Sequence, residues 1–266
     1  MLKIATWNVN SLRVRLPQVL RWLDENQPNL FALQETKVED EKFPHTAFKE
    51  SGYNVIFTGQ KAYNGVAILS REPPQNVLKQ LPLADADQKR FIAATYSISN
   101  GNNPFDLRLV NLYVPNGEAV GSEKYIYKLQ WLKQLEKFLQ QEIKQHKYLV
   151  ILGDFNIAPS SLDVYDPIKW EGRVLFSEPE RMHFGQLISM GFFDALREIS
   201  QEPNTFSWWD YRTFAFRRNH GLRIDHILIT SHLAKYITNC YIDKELRGAQ
   251  QPSDHAPVIA AFKDVP

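Results

Sequence analysis

Residues able to do chemistry gather where apolar runs stop. "ATWNVN" ends with Asn8 and Asn10, "LFALQE" with Glu35, "LVNLYVPNG" with Tyr113 and Asn116, and "LVILGDFN" with Asp154 and Asn156. "GLRID" carries Asp225, and "QPSDHAPV" sets Asp254 beside His255, fenced by Pro252 and Pro257. Each has an ordinary explanation taken singly: Glu35 as a cap, Asp154 as an Asx-turn after Gly153, Asp225 as a satisfied buried acid. Together they require a shared partner, because carboxylates buried side by side are costly unless a cation or hydrogen bonds neutralise them. One Glu, two or three Asp, two Asn and one His suit a hard divalent ion facing a phosphate. Zinc is a poor match: the seven histidines are scattered, and there is no HExxH and no cysteine pair. In "GDFN", Asp154 and Asn156 stand two apart, so at an extended strand end they point the same way. A carboxylate there can take a proton from water while the amide binds a phosphate oxygen, a pairing suited to water attacking phosphorus.

These groups need strands to deliver them. Ten runs rich in Val, Ile, Leu, Phe and Tyr read as strands: "LKIATWNV", "NLFALQE", "NVIFT", "GVAILS", "RFIAATYSI", "LRLVNLYV", "YLVILGDFN", "RIDHILIT", "YITNCYI" and "APVIAAF". Several are apolar almost throughout, as in strands covered on both faces. A long helix is predicted from Ser122, its N-cap, to about His146, with Ile126, Leu129, Leu132, Leu135, Leu139 and Ile143 on one face. A second follows Ser177, where Glu180 completes a capping box and Leu187, Ile188 and Phe192 follow. A third lies between Ser11 and Pro28. "SISNGNNPFD" reads as a hairpin-type turn, and nothing marks a linker, so residues 1–266 are expected to form one domain of two packed sheets with helices outside.

The net charge of +1 means that any nucleic-acid contact must come from local patches. One such patch is "FSWWDYRTFAFRRNHGLR", which mixes Trp208, Trp209, Tyr211, Phe214 and Phe216 with Arg212, Arg217, Arg218 and Arg223 around a single acid, Asp210. Its aromatics could pack against a sugar or base while guanidinium groups grip phosphates. The plainer reading makes the aromatics core and the arginines a solvated face. Lys61 and Arg90 are weaker phosphate-contact candidates, since a basic residue at a strand edge is more often solubilising. The lone Cys240 excludes an intrachain disulfide and reads as a packed thiol. With no signal-peptide pattern and no apolar run near the roughly 20 residues that span a bilayer, a cytoplasmic protein without membrane contact is expected, and a monomer.

Taken in order, "WNVN", "LQETK", "YNGVAIL", "YVPNG", "GDFNIAP", "WWDYR", "GLRIDHIL" and "PSDHAPV" resemble the exonuclease III family of bacterial apurinic/apyrimidinic endonucleases, over residues 2 to about 262. "GDFN" and "SDH" are shared with the wider endonuclease/exonuclease/phosphatase superfamily, whereas "YVPNG", "WWDYR" and "GLRIDHIL" are narrower. The resemblance implies a four-layered α/β sandwich, deoxyribonuclease I-like, with two mixed β-sheets flanked by helices. It also implies an Mg²⁺- or Mn²⁺-dependent site drawn from Asn8, Glu35, Asp154, Asn156, Asp254 and His255, with Glu35 the principal ligand. Asp154 would activate or position water, Asn156 steady the transition state, Tyr113 contact the phosphate or leaving group, and Asp225 orient His255. The implied substrate is double-stranded DNA, cut 5′ to abasic sites or processed from 3′ ends, held by Lys61, Arg90, Asn116, Trp208, Arg212, Arg217, Arg218 and Arg223. Two alternatives are an enzyme of the same fold acting on an inositol phosphate or phospholipid, and a catalytically silent DNA-binding module.

Overall fold

The computed structural model describes residues 1–82, 87–99 and 104–265. In chain order its elements are β1 (Leu2–Asn8), α1 (Leu12–Asn26), β2 (Leu30–Gln34), α2 (His45–Glu50), β3 (Asn54–Thr58), β4 (Val66–Ser70), β5 (Pro74–Leu78), β6 (Phe91–Ile98), β7 (Phe105–Tyr113) and α3 (Glu123–Gln145). They continue with β8 (Tyr148–Asp154), α4 (Pro167–Trp170), α5 (Glu178–Ser189), β9 (Phe192–Asp194), α6 (Ala195–Ile199), β10 (Asp225–Thr230), α7 (Ser231–Ala234), β11 (Ile237–Ile242) and β12 (Val258–Phe262).

Two six-stranded sheets run β11-β12-β1-β2-β4-β3 and β5-β6-β7-β8-β10-β9. Each contains one parallel pair, β1 with β2 and β7 with β8, and the other pairs are antiparallel. A parallel neighbour demands a crossover, and the two longest helices, α1 and α3, supply it. Strand alternation then builds four layers. Val150 and Leu152 face inward, where with Ile4, Ala32, Ile68 and Leu109 they fill the space between the sheets. Leu149 and Ile151 face outward onto Trp131, Leu135 and Leu139 of α3 and Phe184 of α5. On the far side Trp7, Phe31 and Leu33 pack against Val19, Trp22 and Leu23 of α1. The architecture is the α/β sandwich of two mixed sheets and flanking helices that the motifs imply.

Three departures have physical causes. Among the described residues there are twelve strands where ten were read; the additional two, β5 and β9, are edge strands. β5 is largely exposed, begins at Pro74 and is bulged, with Asn76 at φ 49°, so it carries no alternation. Phe192 belongs to β9 and not to the helix after Ser177, because α5 stops at Ser189. In α3 the buried face begins with Tyr125 and Lys128, while Ile126 is 51% exposed. Ser122 caps α3 by accepting from the Tyr125 N–H, and Ser177 and Glu180 form the expected capping box. Cys240 is buried and unpaired, and burial pushes its thiol up. The expected turn at 97–106 lies partly outside the described residues.

Candidate active site

Register brings the polar strand ends to one end of the sandwich. Tyr113 lies opposite Asp154 in the parallel β7–β8 pair, and Asp154 opposite Asp225 in the antiparallel β8–β10 pair. In the other sheet Asn8 lies opposite Gln34, so Glu35 emerges beside it with a left-handed backbone, φ 49°. Beneath them the sheets are stitched by side chains: Gln34 donates to Thr6 and Asn111, and Asn111 donates to the carbonyls of Leu33 and Ala67. Gly153 is required where it stands. Its φ is 132°, and a Cβ there would lie 2.0 Å from the Leu112 carbonyl oxygen of β7.

Asn8 is the bridge between the sheets' acids. Its amide nitrogen donates to Glu35 Oε1 at 2.8 Å and to Asp154 Oδ2 at 2.9 Å. Its own Oδ1 accepts from the Asn10 N–H. Asp154 is also held by the Asn156 N–H, 2.9 Å from Oδ1. Burial pushes the Asp154 carboxyl up, to about 7; the charge of His255 opposes this, and those of Asp225 and Glu35 add to it. His255 Nδ1 lies 2.8 Å from Asp225 Oδ2, which also accepts from Ser207 Oγ, and Nε2 lies 3.8 Å from Asp154 Oδ2. Burial disfavours the imidazolium, but Asp225 and Asp154 outweigh it and lift His255 to about 10. His255 is thus a buried cation between two aspartates.

Glu35, Asp154 and His255 offer atoms that all lie within 4.8 Å of one another. His255 turns Nδ1 to Asp225, and the carboxylates of Glu35 and Asp154 supply the oxygen donors of the group. That donor set fits Mg²⁺ or Mn²⁺, which take oxygen ligands and keep waters, and it does not fit zinc. The other proposed ligands make hydrogen bonds within the protein. Asn8 presents N–H to the acids. The Asn156 oxygen accepts from Asn116 Nδ2 at 3.1 Å while its amide donates to the Val114 carbonyl. Asp254 accepts from Asn10 through one oxygen and from the Trp208 indole through the other. Lys37 joins this edge, bonded to Glu35 and Asn10. Tyr113 stands at the rim, its ring 4.5 Å from the Arg90 guanidinium. Burial and Glu35 hold its hydroxyl well above the ordinary range, Arg90 opposing, so it remains a proton donor at neutral pH.

The basic residues divide. Arg90 and Asn116 line one groove beside the strand ends, and Lys61 lines another with Arg13, Lys37 and Lys42. Arg217 and Arg218 are exposed, and Arg212 is exposed but forked onto Asp210. Arg223 is a correction. It is 2% exposed, bonded to Asp163, Asp194 and His226, and so cannot reach a ligand outside the fold. Trp209 is core, and Trp208 is half-buried over the site. Ser207 was not anticipated. It fixes Asp225 with its hydroxyl, and a serine between Phe206 and Trp208 carries no signal of that partner 18 residues away.

Residues 5–255 match the model of the Endonuclease/Exonuclease/phosphatase family. The chain is 36% identical to an exodeoxyribonuclease III of Haemophilus influenzae over 98% of its own length and 100% of the relative's. Among solved structures, it is similar to a 3′ phosphatase, NExo, from Neisseria, bound to a product DNA hairpin. There the identity is 46%, the TM-score 0.94, and the coverage 99% of this chain and 100% of the other. An AP endonuclease from Archaeoglobus fulgidus is 42% identical at a TM-score of 0.92, covering 98% of this chain and 99% of that one.

Proposed function

The chain belongs to the endonuclease/exonuclease/phosphatase family, and from that premise we propose that it is a DNA-repair phosphodiesterase, cutting duplex DNA 5′ to abasic sites and clearing nucleotides or blocking groups from 3′ ends. The observation that carries the reading is the meeting of Glu35 and Asp154 with the His255–Asp225 pair in the seam between the sheets. Glu35 and Asp154 would hold Mg²⁺ or Mn²⁺, which when bound polarises a phosphate oxygen and neutralises its charge.

The remaining work falls to side chains. Asp154, fixed by Asn8 and Asn156, is placed to take the proton of an attacking water. His255 directs a charged Nε2–H toward the phosphate, and Asp225, accepting from Nδ1–H, orients the ring and favours its charged form. Asn156, at φ 50°, has a second amide hydrogen for a phosphate oxygen, and Asn116 steadies it. Tyr113 supplies a neutral O–H to the phosphate or leaving oxygen. Trp208, fixed by Asp254, offers a face to an extruded sugar, which costs least to extrude where no base is stacked. Lys61, Arg90, Arg212, Arg217 and Arg218 supply phosphate contacts. The reading takes the protein to be a cytoplasmic monomer; no helix among the described residues is long and apolar enough to cross a membrane.

An end-labelled duplex with one tetrahydrofuran site, a duplex with a 3′-phosphate and an inositol phosphate, each with Mg²⁺ and with chelator, form the test. Metal-dependent cutting of the two DNAs alone is expected. Release of phosphate from the inositol substrate alone would reassign the site.

A further inference from the structure

Behind the site lies a buried ion pair that takes no part in the chemistry above. Lys128 of α3 and Glu180 of α5 are both fully buried and in direct contact. An ammonium has three N–H donors, and here each finds an acceptor: Glu180 Oε1, the Asn116 carbonyl at 3.1 Å and the Asn156 carbonyl at 2.7 Å. Glu180 is equally engaged, accepting from the N–H groups of Leu175 and Ser177 and from Ser177 Oγ. The stem of Lys128 runs close under the first loop, where a Cβ on Gly117, at φ 95°, would lie 3.1 Å from Lys128 Cδ.

The placement matters because of which carbonyls are chosen. Asn116 and Asn156 sit on separate loops, after β7 and β8, and their side chains touch each other at 3.1 Å. Asn156 also has a left-handed backbone, φ 50°, which asparagine adopts more readily than other residues with a side chain. We infer that Lys128 is a positioning residue: one ammonium grips both loops and sets the Asn116–Asn156 amide pair at the phosphate. This rests on the reading of those amides as phosphate-facing. A purely structural pair is the competing explanation, since removing one partner of a buried pair leaves an uncompensated charge.

The two explanations separate in the variants Glu180→Gln and Lys128→Met/Glu180→Gln. Glutamine still suits the capping box, and Lys128 keeps both carbonyls, so Glu180→Gln should lose thermal stability yet keep kcat within about threefold of wild type. The double variant removes the stranded ammonium but leaves two carbonyls without their donor, opposing effects that should keep its melting temperature near that of Glu180→Gln. Its kcat on the abasic duplex should nonetheless fall about 10- to 100-fold, the scale of a misplaced contact group, with KM within about threefold. The side-chain amide ¹⁵N–¹H resonances of Asn116 and Asn156 should move in the double variant and not in Glu180→Gln, whatever the substrate proves to be. A double variant matching Glu180→Gln in kcat and in those resonances would overturn the inference, as would equal losses of kcat in both. Wild-type protein inert on the duplex, with the resonance pattern as expected, would overturn the functional reading and leave the clamp standing.

Discussion

Replacing Asp225 by Asn tests the charge on His255 with little change of shape. Asp225 Oδ2 accepts from both His255 and Ser207, whereas Oδ1 is buried with no hydrogen-bond partner among the described residues. An asparagine can keep its oxygen at the first position and put its amide at the second, so both accepted bonds survive and only the negative charge is lost. That charge heads the causes that lift His255 to about 10 against burial. The gap from an ordinary histidine, about 6.5, is worth about 5 kcal/mol of preference for the imidazolium. Asp154 and Asp254 share in the lift and burial opposes it, so about 5 kcal/mol is a net figure and not the part of Asp225 alone. Without Asp225 the balance moves toward burial, and His255 gives up its proton at lower pH. Loss of a charged donor at the phosphate should lower kcat about 10²- to 10³-fold, with KM for the abasic duplex nearly unchanged. The assay is incision of the end-labelled duplex at saturating substrate and Mg²⁺, from pH 6 to 9. The wild-type rate should hold on the alkaline side, since its histidine stays charged up to about 10, and the variant's rate should decline from near neutrality. Turnover by Asp225→Asn within threefold of wild type at pH 8, in a protein of unchanged melting temperature, would refute the assignment.

Four further outcomes are expected. Mg²⁺ should raise the melting temperature of the wild type, and Glu35→Gln should remove most of that rise, read by thermal shift with and without chelator. Arg223→Ala should destabilise the fold by about 3–5 kcal/mol, because Asp194 loses its ion-pair partner in the interior and Asp163 keeps only Arg197. Arg217→Ala and Arg218→Ala should leave urea unfolding within about 0.5 kcal/mol of wild type but weaken duplex binding and flatten its salt dependence. Finally, burial and then Arg223 push His226 down to about 4, with Arg223 donating to one ring nitrogen and the Ile157 carbonyl placed to accept from the other. A depressed pKa gives stability that is present above pH 6.5 and lost as pH falls through 4, here about 3 kcal/mol. Asp154, whose carboxyl is raised, titrates in the opposite sense over part of that range. The measurement is therefore the difference between wild type and His226→Gln in urea unfolding at pH 7 and 4.5.

What the sequence makes legible here follows the range of each interaction. Strand interiors such as "LVIL" announce themselves because both faces of β8 are covered, so the signal is local and continuous. The site residues were legible for the complementary reason: Asp154, Asp225 and His255 are polar groups at places where an apolar chain enters or leaves the core, and such groups need a cause. Direction was harder to read. Arg223 stands in a run of arginines and looks like its exposed neighbours, yet it points inward because Asp163, 60 residues back, and Asp194 await it there. Lys128 repeats the lesson within one helix. The apolar stripe through Ile126 and Leu129 suggests a core face that leaves the lysine in water. Burying it is tolerable only because Glu180 and two carbonyls 12 and 28 residues away take all three of its protons. Periodicity reports which face is apolar, and it is silent about a charge whose partners arrive from other elements. Arg223, misread for direction, and Lys128, to which the apolar stripe gives no role, are therefore residues whose burial depends on long-range ion pairs, and variants at these positions should show strong, non-additive coupling with their partners.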